Sequence, residues 1–229
     1  MKLIKKADST ICCLIPKDDF PKAILLTNIA KEEGAAFVEI RVPIEQTNFE
    51  NFNLAELKVY TILSIEPLEY LQKSNKVISD QLKVMINLQP NYIELNSSLE
   101  GNTIQELSKY ANEKQVGVII SKYFDEFPKK KTLLQQFKEL QIAKSDIIKI
   151  IAPAENEFDA NEMLQLYKSK KDYKLVALCS KESGKFSQLL APILGAEFTY
   201  GYISRKSDEA QIPLNILKQN LEVLYRTLM

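Results

Sequence analysis

The chain has 229 residues, of which 45% are hydrophobic and 26% charged, and its thirty basic and thirty acidic side chains cancel to a formal net charge of +0. That length and apolar content suffice for one large α/β domain or two small ones, and the balanced charge, without a single-sign block or a basic stripe interleaved with aromatics, argues against a nucleic-acid partner. Histidine is absent, which removes the commonest general acid/base and the commonest zinc ligand from consideration.

The N-terminal stretch Met1 to Asp8 lacks the apolar run of a signal peptide, and no apolar run approaches transmembrane length, so a cytoplasmic protein without membrane contact is expected. Beyond it, short β-branched runs alternate with segments of helical spacing, the pattern of parallel βαβ units. The expected strands are Ile11 to Pro16, Phe37 to Val42, Val59 to Ser64, Tyr92 to Leu95, Val116 to Lys122, Asp146 to Ile151, Leu175 to Cys179 and Phe198 to Ile203. Helices are expected over Phe20 to Glu33, Leu68 to Leu88, Thr103 to Glu113, Lys131 to Ile142, Ala160 to Lys168, Lys185 to Leu194 and Pro213 to Leu228. Asn48 to Leu57 has the composition of a loop.

Lys129 to Lys131 and Lys168 to Lys171 border helices and are expected to be solvated faces. Cys12 and Cys13 are neighbours and Cys179 stands alone, which forms no disulfide framework and suits a reducing compartment. No glycine-, serine- or proline-rich linker divides the chain. Eight strand and helix alternations without a linker predict an α/β fold, a single (β/α)8 TIM barrel domain over residues 1–229, with an open doubly wound sheet as the alternative. The turn Pro16-Lys-Asp-Asp-Phe20 has no glycine to approach a pyrophosphate, against a Rossmann sheet.

Lys149 interrupts the apolar run Asp146-Ile-Ile-Lys-Ile-Ile-Ala152. An ammonium placed there loses hydration, so it is either paired with a carboxylate or used as an amine of lowered pKa. In a barrel strand alternate residues point inward. Glu39 and Arg41 on the second strand then share the inner side, Glu94 joins them from the fourth, Ser121 and Tyr123 from the fifth, and Lys149 from the sixth. An inward lysine among carboxylates supplies the parts for Schiff-base chemistry on a carbonyl substrate, whether aldol cleavage, transaldol transfer or dehydration.

These segments resemble the type I 3-dehydroquinate dehydratase family. Gly34-Ala-Ala-Phe-Val-Glu-Ile-Arg41 resembles its second strand, Asn91-Tyr-Ile-Glu-Leu95 its fourth, and Ala143-Lys-Ser-Asp-Ile-Ile-Lys-Ile150 the strand that carries its Schiff-base lysine. From Gly184-Lys-Phe-Ser-Gln188 through Gly195 and Phe198-Thr-Tyr200 to Ser207-Asp-Glu-Ala-Gln211, the spacing follows the family pattern without a gap. The resemblance implies Lys149 as the imine-forming residue and Glu39, Arg41, Glu94, Gln188, Tyr200, Ser207 and Gln211 as substrate-binding. It implies a shikimate-pathway lyase acting on a small molecule, with no cofactor and as a homodimer.

The chain departs from the family at named positions. Tyr123 replaces the acid/base histidine, Gln188 the arginine that binds the substrate carboxylate, Leu63 another arginine, and Glu94 an aspartate. Tyr123 is thereby the candidate acid/base, provided that Lys149 lowers its pKa from the ordinary value of about 10, and Arg205 or Lys122 is the candidate replacement for the carboxylate-binding arginine. The alternatives are a homologue that binds a ligand or partner without turnover, and another Schiff-base enzyme of aldolase type.

Overall fold

The computed structural model describes residues 9–50, 52–169 and 173–228; the Met1 to Asp8 segment and two of the lysines in the Lys168 to Lys171 run lie outside them. Its strands are β1 (Ile11–Ile15), β2 (Phe37–Arg41), β3 (Tyr60–Ser64), β4 (Tyr92–Asn96), β5 (Gly117–Tyr123), β6 (Ile147–Pro153), β7 (Lys174–Ser180), β8 (Thr199–Tyr202) and a short β9 (Ile212–Pro213). Each of the eight expected strands is present, within two residues at either end.

The sheet order is β7-β6-β5-β4-β3-β2-β1-β8-β9, and every paired strand is parallel. Neighbours follow chain order until β8 returns to lie beside β1. A doubly wound sheet instead reverses its order at a switch point, so the open alternative is ruled out. The two ends of the curled sheet meet where the Glu197 N–H donates to the Leu175 carbonyl at 2.9 Å. The architecture is a TIM-barrel-like α/β fold.

The helices are α1 (Ala23–Glu32), α2 (Glu69–Gln72), α3 (Asn75–Asn87), α4 (Gly101–Glu113), α5 (Lys130–Ile142), α6 (Glu157–Leu164), α7 (Lys185–Ile193) and α8 (Leu214–Leu228). The helix expected over Leu68 to Leu88 is split. Lys73 takes an extended conformation, and Ser74 restarts the helix by accepting the Val77 N–H on its side chain, because a serine there offers the orphan amides of α3 an acceptor. Phe20 lies in a 3₁₀ turn (Lys17–Lys22) ahead of α1, since Pro21 cannot donate its nitrogen to a helix ladder. Among the described residues, the Asn48 to Leu57 region contains only the 3₁₀ turn Leu54–Glu56.

Central strands are apolar on both faces because helices cover the outside and facing strands fill the inside. All five residues of β1 are buried, and β6 is buried along most of its length. Within this core several polar groups lie close together: Glu39, Ser64, Glu94 and Lys149 are each no more than 3% exposed. Burying them is costly unless they satisfy one another, and their pairing defines the site. The equally buried Ser121 hydroxyl has no hydrogen-bond partner among the described residues.

Candidate active site

Register brings the polar residues together. Glu39 lies opposite Ile62 on β3, Glu94 opposite Ile119 on β5, and Ser121 opposite Lys149 on β6. The Lys149 Nζ donates to Glu39 Oε2 at 2.8 Å and to Glu94 Oε2 at 2.7 Å. Of the two fates open to a buried lysine, pairing is the one realised. Burial alone would pull the Lys149 pKa down, but Glu39 and Glu94 outweigh it and hold the ammonium well above the ordinary lysine value. Burial would likewise raise the Glu39 carboxyl, yet Lys149 and then Arg41 bring it below the usual value.

Each carboxylate has further donors. Glu39 accepts the Ser64 hydroxyl on Oε1 at 2.9 Å and the Tyr200 hydroxyl on Oε2. Glu94 accepts the Tyr123 hydroxyl on Oε1 at 2.9 Å. Both tyrosine rings also lie near the ammonium, with Nζ 5.4 Å from the Tyr123 centroid and 4.9 Å from that of Tyr200, within cation–π range.

The condition set for Tyr123 as a base, a pKa brought down by Lys149, is not met. Burial and the Glu94 charge push that hydroxyl well above the ordinary tyrosine value, and Lys149 only partly opposes them. A tyrosinate base is therefore not populated at neutral pH in the resting site.

Above this cluster opens a cavity of about 210 Å³, walled by Arg41, Glu66, Tyr123, Lys149, Gln188, Tyr200, Ser207, Asp208 and Gln211 among others. Arg41, Tyr123 and Ser180 end their strands, so the cavity occupies the C-terminal mouth where barrel enzymes carry their sites. Glu39 and Glu94 do not line it; they lie behind Lys149, Tyr123 and Tyr200.

The cations lining the cavity are engaged. Arg41 Nη1 donates to both oxygens of Glu66, at 2.7 and 2.8 Å, whereas its Nε stands 3.9 Å from Glu39. The Glu39–Arg41 contact is thus secondary to Arg41–Glu66, which holds the guanidinium charged against its burial. Glu66 was not anticipated, although an acid two residues beyond a strand end falls at the same mouth as Arg41. Ser64 was also missed; it ends β3 on the Glu39 side.

Gln188 stands at the cavity with its amide turned to the protein. Its Nε2 donates to the Cys179 carbonyl at 3.2 Å, and its Oε1 accepts from the Thr199 hydroxyl at 2.8 Å and the Tyr200 N–H at 3.2 Å. Ser207 and Gln211 bind each other, the Gln211 Oε1 accepting the Ser207 N–H at 2.9 Å and its hydroxyl at 3.2 Å. The two candidate replacements for the arginine do not line the cavity. Arg205 pairs with Asp18 at 3.0 Å and Asp19 at 3.5 Å, and Lys122 lies over the Phe124 ring, outside the cavity wall.

Residues 11–227 match a family model described as type I 3-dehydroquinase. A 3-dehydroquinate dehydratase of Thermococcus gammatolerans is 28% identical over 203 residues, covering 85% of this chain and 90% of the relative. One from Dehalococcoides mccartyi is 26% identical over 219 residues, covering 89% and 90%. Among solved structures, a type I 3-dehydroquinate dehydratase from Clostridium difficile with covalent modified comenic acid superposes with a TM-score of 0.84 at 21% identity, over 96% of this chain and 93% of that one. A 3-hexulose-6-phosphate synthase from Salmonella typhimurium shares the fold at a TM-score of 0.63 and 11% identity, over 93% and 98%.

Proposed function

The chain belongs to the type I 3-dehydroquinase family, and on that premise we propose that it is a carbon–oxygen lyase that dehydrates 3-dehydroquinate to 3-dehydroshikimate in the shikimate pathway through a Schiff base on Lys149. One observation carries the chemistry: a wholly buried lysine that lines the mouth cavity and whose Nζ is gripped by two carboxylates at 2.7 and 2.8 Å. Such a group is costly to bury and has a use at the base of a cavity as an amine that attacks a ketone.

Lys149 forms the imine with the C3 ketone, a base removes a C2 proton, and the C1 hydroxyl leaves as water. Tyr123 is the group at the cavity wall that meets the migrating proton. Arg41, Ser207 and Gln211 orient the hydroxyls and the carboxylate. Glu39 holds the lysine from behind, Tyr200 donates to Glu39 from the cavity wall, and Gln188 fixes the wall through Thr199. The reading includes a cytoplasmic setting, which three free and buried cysteines suit, and a homodimer to be tested by light scattering.

Borohydride reduction in the presence of 3-dehydroquinate, followed by mass mapping, tests the imine. An adduct on Lys149 is expected, and its absence sinks the reading. A second reading, a homologue that binds without turnover, draws on the engaged state of Arg41 and Lys149 and the raised Tyr123 pKa. It predicts thermal stabilisation by the ligand without any absorbance change from 3-dehydroshikimate.

A further inference from the structure

We propose that imine formation at Lys149 releases Glu94 from its ion pair, and that the released carboxylate takes and returns the proton of the dehydration through the Tyr123 hydroxyl. This rests on the imine reading above, and it gives the site a proton acceptor that neither Lys149 nor Tyr123 supplies alone.

The argument is one of hydrogen-bond counting. A lysine ammonium carries three N–H donors, and in the resting site two of them reach Glu39 Oε2 and Glu94 Oε2. A protonated imine nitrogen carries a single N–H. One of the two carboxylates must therefore lose its donor when the carbon–nitrogen bond forms.

The surroundings decide which one. Glu39 stays anchored by Ser64 at 2.9 Å, by the Tyr200 hydroxyl, and by the Arg41 guanidinium with Nε at 3.9 Å. Glu94 has the Tyr123 hydroxyl on Oε1, and its Oε2 depends on Lys149. A buried acceptor deprived of its donor is unfavourable, and more so when charged. Taking up a proton removes that penalty.

Tyr123 connects this carboxylate to the cavity. Its side chain lines the cavity while Glu94 does not, and its hydroxyl can donate to Glu94 as it accepts from a ligand. The ionisable groups facing Glu94 are Lys149 from β6, Glu39 and Arg41 from β2, Tyr123 from β5, Tyr200 from β8 and Tyr70 from α2. A tyrosinate need never accumulate, because the hydroxyl gives up one proton to Glu94 as it receives another.

The protons balance at each step. The Lys149 ammonium gives one proton to the ketone oxygen as its freed pair adds to the ketone carbon and the carbonyl pair moves to oxygen. That oxygen takes a second proton from nitrogen and leaves as water, so that the iminium forms with one N–H and Glu94 remains a carboxylate. The C2–H pair then becomes a carbon–carbon double bond as the iminium pair moves to nitrogen, and the proton passes through Tyr123 to Glu94. The enamine expels the C1 hydroxyl, which takes that proton back through Tyr123 and leaves as water. Hydrolysis of the product iminium returns the Lys149 ammonium.

The test compares Glu94→Gln, Glu94→Asp and Tyr123→Phe with the unaltered enzyme in two measurements: borohydride trapping on Lys149 with 3-dehydroquinate, and dehydration rate with normal and C2-deuterated substrate. Glu94→Gln and Tyr123→Phe should retain the trapped adduct while dehydration falls by ~10²–10⁴-fold, with the C2 isotope effect enlarged. Glu94→Asp, which keeps a carboxylate on a shorter stem, should recover part of that loss, an effect that a merely structural role would not produce. If Glu94→Gln does not fold, Glu94→Asp carries the comparison, slowed dehydration with an intact adduct being the supporting result. Dehydration by Glu94→Gln within a few-fold of the unaltered enzyme overturns the proposal, as does an equal loss of adduct and dehydration. If the unaltered enzyme gives no adduct, the imine reading itself fails and this proposal fails with it.

Discussion

Glu94 accepts the Lys149 ammonium on one carboxylate oxygen at 2.7 Å and the Tyr123 hydroxyl on the other at 2.9 Å. The carboxylate therefore joins the lysine on β6 to a tyrosine hydroxyl on β5. A glutamate is one methylene longer than an aspartate, and that length carries the carboxylate to the Tyr123 hydroxyl.

Tyr123→His should raise turnover, because an imidazole titrates near pH 6.5 whereas burial and Glu94 hold the tyrosine hydroxyl well above its ordinary value. A gain of about tenfold or more in the absorbance rate is expected from a general base of matched pKa. A variant that folds, forms the adduct on Lys149 and turns over no faster than the parent refutes this prediction.

Lys149→Met keeps most of the volume and removes the charge between Glu39 and Glu94. Breaking a buried pair by deleting one partner costs about 3–5 kcal/mol, which urea denaturation at pH 7 would read. In the parent, the raised Lys149 pKa contributes stability that is fully present below about pH 10.4 and lost as pH rises through the folded value, while the lowered Glu39 pKa contributes above about pH 4.3 and is lost as pH falls through its folded value. In Lys149→Met two buried carboxylates are left side by side, and one takes up a proton as the solution is acidified. The variant should become more stable from pH 8 to pH 5. A parent-like pH profile would show that Lys149 does not hold these charges.

Strand boundaries were legible because β-branched runs of four to seven residues have few other uses in a βαβ chain. Helix ends were legible despite only six glycines: Gln89, Gln115 and Lys144 make the left-handed turns after α3, α4 and α5, with φ of 52°, 61° and 51°. Alternation along β2 and β6 correctly set Glu39 and Lys149 on the inner side. It could not show which partner Arg41 takes, since Glu66 lies in a loop whose path depends on tertiary packing. Nor could it distinguish residues that line the cavity from those behind it, because strand alternation assigns a face but not a depth. Gln188 illustrates the same limit, being at the expected position with its amide engaged by Cys179, Thr199 and Tyr200.

Gly184 precedes α7 at a close approach of two backbones. A β-carbon there would lie 2.5 Å from the Cys179 carbonyl oxygen and 2.7 Å from its carbon. Gly184→Ala should destabilise the fold by about 1–3 kcal/mol through overpacking. Because Cys179 also accepts the Gln188 amide and donates its N–H to Ser187 at 2.8 Å, the strain reaches the cavity wall. A fall in Tm with a higher KM is expected; an unchanged Tm would mean that β7 and α7 separate freely.

Gln188→Arg tests whether the cavity lacks an available cation for the substrate carboxylate. Arg41 is held by Glu66, Lys149 by its two glutamates, and Arg205 by Asp18 and Asp19. A guanidinium at position 188 would add a charge-assisted donor worth ~1.5–3 kcal/mol, lowering KM for 3-dehydroquinate by about 10–100-fold at that energy. Stability should fall at the same time, because Thr199 and the Tyr200 N–H lose the acceptor they share on Gln188. Raising the salt concentration should weaken binding to the variant more than to the parent, since the added attraction is between charges. Steady-state kinetics and a thermal melt on the same sample decide the matter: a lower Tm without a lower KM would show that the carboxylate of the ligand is held elsewhere, on Arg41 after displacement of Glu66.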